Sequence, residues 1–172
     1  MYIKNLCSAA KEAEIEIAQL STKIKNQILL KSAKALLDNM ENILKINEID
    51  VKNAKENGVK AAFIDRLTLT PDRIKGMAQG LEEIAALNDP VGEFLYGKTL
   101  PNGLIIQQKR VPLGVIAIIF ESRPNVTADA FGLCLKSGNA VVLRGGKEAI
   151  NTNIAIVKIF KDVLKKCGVN EN

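Results

Sequence analysis

Two short segments hold the residue types that could do chemistry. Residues 121–125 read Glu-Ser-Arg-Pro-Asn, and residues 144–149 read Arg-Gly-Gly-Lys-Glu-Ala. Each follows a run of Ala, Val, Ile and Leu, so each reads as the loop leaving the carboxyl end of a strand, where open parallel sheets bind ligands. Adjacent glycines let a backbone approach a ligand closely and take conformations closed to other residues. The second loop lies about 20 positions after the first, the place that meets the adenosine ribose in dinucleotide folds. An acidic residue there would accept from a free 2′-hydroxyl, whereas Arg144 and Lys147 would pair with a 2′-phosphate. The cofactor expected on this ground is NADP(H), with Ser122, Arg123, Pro124, Arg144, Gly145, Gly146 and Lys147 as its binding residues. Neither loop carries the G-x-G-x-x-G fingerprint that seats a pyrophosphate on a helix N-terminus. Other roles stay open: Arg-Gly-Gly as a solvated turn, Arg123 in a surface ion pair, and Asn125 as a helix cap.

The chain contains no histidine, which excludes a Ser-His-Asp triad, a Cys-His pair and any His-ligated metal within it. No metal site is expected. Cys7, Cys134 and Cys167 are widely spaced and never form a C-x-x-C pair, so neither disulfides nor a zinc knuckle is indicated. Cys134 sits in the apolar stretch Ala-Phe-Gly-Leu-Cys-Leu, where burial would raise its pKa, and so reads as core. A formal charge of +5 permits an anionic partner. Nucleic acid is not expected, because aromatics are only 4% of residues and the basic side chains alternate with acidic ones. No apolar run approaches the roughly 20 residues a bilayer requires, and the first residues lack a signal core, so no membrane association and a cytoplasmic location are expected.

The elements that must position these loops follow from periodicity. From residue 1 to about Leu87 apolar residues recur at helical spacing, as in Ile15, Ile17, Leu20, Ile24, Ile28, Leu29, Ala33, Leu36, Leu37 and Met40, and read as amphipathic helices. Ser21 reads as a cap, Gly58 as a break, and Thr70-Pro71-Asp72 as a helix start. Two extended runs then flank Pro101-Asn102-Gly103, an antiparallel ribbon with its turn. Residues 115–120 read as a strand covered on both faces, followed by a helix opened by Pro124 and closed by Gly138. A second short buried strand ends at Arg144, and another helix ends at Gly168. The class is α/β: N-terminal helices at 1–90, a β-ribbon at 91–113, and a βαβα unit at 114–172 whose two strands form part of a parallel sheet. Two parallel strands leave an edge and a face open, so further strands are expected from another chain or from sequence after Asn172.

The stretch from Arg110 to Asn153, with Pro-Leu-Gly-Val-Ile-Ala-Ile-Ile-Phe-Glu-Ser-Arg-Pro-Asn-Val-Thr followed by Leu-Lys-Ser-Gly-Asn-Ala-Val-Val-Leu-Arg-Gly-Gly-Lys-Glu-Ala, closely resembles the γ-glutamyl phosphate reductases of the aldehyde dehydrogenase superfamily. The helical first half is similar to their N-terminal region, and the resemblance implies that the βαβα unit at 114–172 opens an NADP-binding domain with a Rossmann-like parallel sheet of the aldehyde dehydrogenase type. The resemblance implies NADPH-dependent reduction of L-glutamyl 5-phosphate to L-glutamate 5-semialdehyde and phosphate, the second step from glutamate to proline. It implies a ribbon used in homo-oligomerisation and an association with glutamate 5-kinase. It also implies a catalytic cysteine in a later domain, so this chain is expected to be an N-terminal portion, inactive alone. Asn125 has the chemistry of the family's oxyanion donor, while an ungapped count from Gly114 lands on Arg123. The alternative is a non-catalytic nucleotide-binding or regulatory module.

Overall fold

The computed structural model describes residues 2–172, with side chains from residue 3 onward. Five helices come first: α1 (Tyr2–Ile17), α2 (Thr22–Asp38), α3 (Met40–Glu56), α4 (Ala61–Leu67) and α5 (Pro71–Ala86). The polar residues at their starts satisfy amides that a helix leaves unpaired: Ser21 Oγ accepts from Ile24 N at 3.4 Å, and Thr70 Oγ1 accepts from Arg73 N at 3.2 Å with Pro71 filling the first helical position. Helix α2 ends at Asn39, whose Nδ2 donates back to Ala35 O at 2.8 Å. Ile28, Leu29, Ala33 and Leu36 are fully buried, but Ile15 and Leu37 are exposed. In α1 the inward face is Ala10, Ala13 and Ile17, three and four residues apart, and Ile15 lies off it.

Beyond Pro90 the chain forms β1 (Phe94–Thr99) and β2 (Ile105–Lys109), an antiparallel ribbon in which every residue is exposed. Gly103 turns it with φ +86°, and Leu104 N donates to Asn102 Oδ1 at 3.1 Å. Then come β3 (Val115–Ile119), α6 (Asn125–Lys136), β4 (Ala140–Arg144), a single 3-10 turn at Lys147–Ala149, and α7 (Ile150–Lys166). Helix α6 closes at Gly138, φ +75°: Asn139 N donates to Cys134 O at 2.8 Å and Gly138 N to Leu135 O at 3.1 Å, the paired bonds of a Schellman end. The chain therefore reverses straight into β4. There Asn139 Oδ1 accepts from Leu113 N at 2.6 Å and Gly114 N at 2.9 Å, which locks the start of β4 to the start of β3. The strands pair in parallel from Val115 with Ala140 to Ile119 with Arg144, so their carboxyl ends finish level.

The expected cover on both faces of the strands is not found. Ala117 is exposed and Ile119 is 75% exposed, because among the described residues the sheet has two strands and one of its sides meets no layer. The other side is packed: α1 lies against β3 and β4, while α2 contacts α5, α6 and α7. A single apolar cluster runs from Ala13 through Leu81 and Phe131 to Val169, so the helical region and the strand-helix unit share one core. Phe131 and Phe160 stack within it, ring centres 4.3 Å apart. No helix among the described residues is long and apolar enough to cross a membrane.

Candidate functional site

The two strand-end loops meet because β3 and β4 end level. Phe120 N donates to Arg144 O at 3.0 Å, and just beyond, Ser122 Oγ donates to Glu148 Oε2 at 2.6 Å. That bond, with Glu148's own backbone amide and the charge of Lys147, holds the Glu148 carboxyl below its ordinary range against the opposing effect of burial. The glycines between are required by closeness rather than by handedness. Neither has positive φ, and Gly146 is extended at φ −60° and ψ 148°. A side chain on Gly146 would collide with Ser122 Oγ and approach Ser122 N at 3.0 Å; one on Gly145 would collide with Asn153 Nδ2 and meet the Phe120 ring at 3.1 Å. The expectation of conformations closed to other residues is thus corrected: the loops are pressed together, and a Cβ has no room. Arg144 and Lys147 are exposed and make no ion pair among the described residues. Ser122, Arg144, Gly145, Gly146 and Lys147 therefore come together. Glu148 joins them, an acid the sequence reading passed over beside its basic neighbours.

The rest of the first loop turns the other way. Pro124 is buried at the entry to α6, with φ −58° and ψ −29° already helical. Arg123 and Asn125 line a cavity of about 410 Å³ between α4, α5 and α6, together with Arg66, Arg73, Gly76 and Asp129. Arg123 Nε lies 3.8 Å from Glu121 Oε2, the surface pair foreseen for it, and Arg66 Nη1 donates to the same oxygen at 3.2 Å. Arg73 Nη1 donates to the carbonyls of Asp65 and Thr68, and so braces the α4–α5 loop. Asn125 does not act as a cap: it is the first residue of α6, and its Nδ2 donates to Asp129 Oδ2 at 3.4 Å. Burial pushes the Asp129 carboxyl up, and the Asn125 contact offsets only part of that.

The glycine loop and the α4–α5 loop rest on one buried polar anchor that the sequence did not reveal. Asp50 on α3 accepts from Thr152 N at 2.8 Å, Thr152 Oγ1 at 2.6 Å and Asn151 Nδ2 at 2.7 Å, satisfying the start of α7 from outside that helix. Three residues earlier, Asn47 Oδ1 accepts from Leu69 N at 2.7 Å, while Nδ2 donates to Leu67 O at 3.0 Å and Thr152 Oγ1 at 3.2 Å. The α4–α5 loop and the glycine loop are so fixed to the same helix. The available signal was Asn47 and Asp50 standing on one inward helical face. Cys134 is buried and burial pushes its thiol up; Cys7 is exposed; Lys31 Nζ donates to Cys167 Sγ at 3.6 Å, a partner that sequence spacing gave no sign of.

The family model described as the aldehyde dehydrogenase family matches residues 1–171. The γ-glutamyl phosphate reductase of Francisella philomiragia subsp. philomiragia is 54% identical over 172 residues, all of this chain and 42% of that one. That of Carboxydothermus hydrogenoformans is 56% identical over 169 residues, 98% of this chain and 41% of its own. Among solved structures, the γ-glutamyl phosphate reductase of Thermotoga maritima superposes with a TM-score of 0.92 at 42% identity, covering 95% of this chain and 40% of that one. The chain thus spans about two fifths of the length of the curated relatives it matches.

Proposed function

The chain belongs to the aldehyde dehydrogenase family, and from that premise we propose that it forms the part of a γ-glutamyl phosphate reductase that holds the cofactor and positions the acyl phosphate, in the conversion of L-glutamyl 5-phosphate to L-glutamate 5-semialdehyde in proline biosynthesis. The observation that carries this reading is likeness over the full chain to reductases of that name, including both strand-end loops. In this reading the nucleophilic thiol comes from a part of such an enzyme outside these 172 residues; Cys134 is packed in the core, where burial pushes its thiol up.

The residues at the strand ends fit NADP(H): two cations without an ion-pair partner among the described residues, Arg144 and Lys147, flank a loop pressed flat by Gly145 and Gly146. When bound, the cofactor supplies the hydride. Arg144 and Lys147 would pair with the 2′-phosphate, and Glu148, held by Ser122, would accept from the neighbouring 3′-hydroxyl, the 2′ position being phosphorylated. Asn125 donates to the acyl oxygen as charge gathers there. The exposed ribbon carries Phe94, Tyr96, Leu104 and Ile105 into contact with another copy, and association with a glutamate 5-kinase belongs to the same reading.

The test is made on the full gene product. L-glutamate 5-semialdehyde should reduce NADP+ only when phosphate is present; activity without phosphate, or none with it, overturns the reading. Arg144→Ala should raise KM for NADPH about 10- to 100-fold and KM for NADH little, because one charged pair is lost. Equal loss with both cofactors would remove the 2′-phosphate assignment.

A further inference from the structure

The cavity between α4, α5 and α6 holds charges of both signs that the fold itself uses poorly. Asp129 is half-buried, yet Asn125 Nδ2 at 3.4 Å is its one hydrogen-bond donor among the described residues, and Oδ1 accepts nothing there. A carboxylate can accept about four hydrogen bonds. Across the cavity Arg123 and Arg66 share a single oxygen of Glu121, a residue 60% exposed whose hold is correspondingly weak. Arg73, by contrast, is spent on the loop carbonyls. A purely anionic ligand would be repelled by Asp129 and a cation by the guanidiniums. A zwitterion answers both.

Resting on the reductase reading, we propose that this cavity seats the α-amino-acid end of the substrate, Asp129 taking the α-ammonium group and Arg123, with Arg66 beside it, the α-carboxylate. Asn125 stands on the same wall, so the amino-acid end and the reacting acyl group lie along one side of α6. Gly76 and Gly80 keep the α5 wall bare. A Cβ on Gly76 would meet nothing within 4 Å, and one on Gly80 would come no closer than 3.9 Å to Asp129 Oδ1.

The experiment uses the full gene product with two aldehydes, L-glutamate 5-semialdehyde and glutarate semialdehyde, which lacks the α-amino group. Asp129→Asn should raise KM about 10- to 100-fold for the first, with a far smaller change for the second. Arg123→Ala should raise KM for both, since both keep the carboxylate, with KM for NADP+ unchanged. Gly76→Leu, a change that favours the helix, should raise KM for both by filling the cavity. Equal effects of Asp129→Asn on the two aldehydes, or an unchanged KM in Gly76→Leu, overturn the subsite. If the wild-type protein turns over neither aldehyde, the reductase reading fails by itself, and the 172-residue chain titrated with L-glutamate decides the cavity. Saturable shifts of the Asn125 and Asp129 amide resonances, lost in Asp129→Asn, keep it as an amino-acid site; no shift in the wild type removes it.

Discussion

Helix α6 carries a charged cluster at each end, and they are built in opposite ways. At its carboxyl end Lys136 and Lys25 are buried together. Lys25 Nζ donates to both oxygens of Asp89, at 3.1 and 3.0 Å, and to Lys136 O at 3.3 Å; Lys136 Nζ donates to Asn26 Oδ1 at 2.7 Å and Ala85 O at 2.8 Å. Asp89 also receives Thr22 Oγ1 and Val91 N. At its amino end Arg123, Asn125 and Asp129 stand half in solvent, with long or shared contacts. A cluster whose charged groups are mostly paired inside the fold holds helices together. One left unmatched beside a cavity has capacity for a ligand.

The largest expected effect separates the two ends directly. Lys25→Ala removes a fully buried ammonium with its bonds to Asp89 and the Lys136 carbonyl, leaving the partly buried Asp89 to Thr22 and Val91 alone, and should cost about 3 kcal/mol by urea unfolding, whereas Arg123→Ala should stay within about 0.5 kcal/mol. Similar losses would erase the distinction. The next is the pH dependence of stability. Burial pushes the Asp89 carboxyl up, but the bonds from Val91, Lys25 and Thr22 and the Lys25 charge outweigh it, leaving the folded-state pKa below 3.8. Its contribution is therefore fully present above that unfolded value and is lost as pH falls through the folded one. Asp89→Asn should flatten the acid limb of the stability curve; an unchanged slope would show that Asp89 is not its source.

Smaller effects come from the glycines along the same α5–α6 contact. A Cβ on Gly132 would lie 2.8 Å from Leu81 Cδ2 and 2.9 Å from Ile84 Cδ1, both buried. Gly132→Ala should therefore lose about 1 kcal/mol, the overpacking exceeding the gain in helix propensity. Gly76→Ala, in open space, should gain about 0.5–1 kcal/mol. Thermal unfolding of the pair reads the contrast, and the same sign in both would mean that the interface is not tighter toward the middle of α6.

How much of this was written in the sequence depended on whether a signal was local. Ser21, Thr70, Pro71, Gly103, Gly138 and Gly168 announced their caps and turns because each acts within a few residues of itself. The strand-end loops were legible for the same reason, and so was a surface ion pair as one role open to Arg123, though not that Glu121 is its partner. What lay beyond reach was long-range. Nothing near Asp50 announces that it meets Thr152. Nothing in the Glu-Ser-Arg-Pro-Asn segment shows that Ser122 turns to Glu148 while Arg123 turns to the arginines of α4 and α5. The exposed strands were misjudged because β-branched runs report what a strand can bury, and neighbouring layers decide what it does bury.

The Lys25 cluster also sets an order of events during synthesis. Lys25 and the Lys136 carbonyl it binds are separated by 111 positions in sequence. At translation rates of about 5–20 residues per second, the first helices wait on the order of 5–20 s after Lys25 is made before that partner exists. During that interval the faces of α2 and α5 that will meet α6 have only each other and water, and a lysine that ends fully buried is still hydrated. Its ammonium gains the Lys136 carbonyl only once α6 has been made, so the bond that ties α2 to the end of α6 cannot precede the completion of that helix.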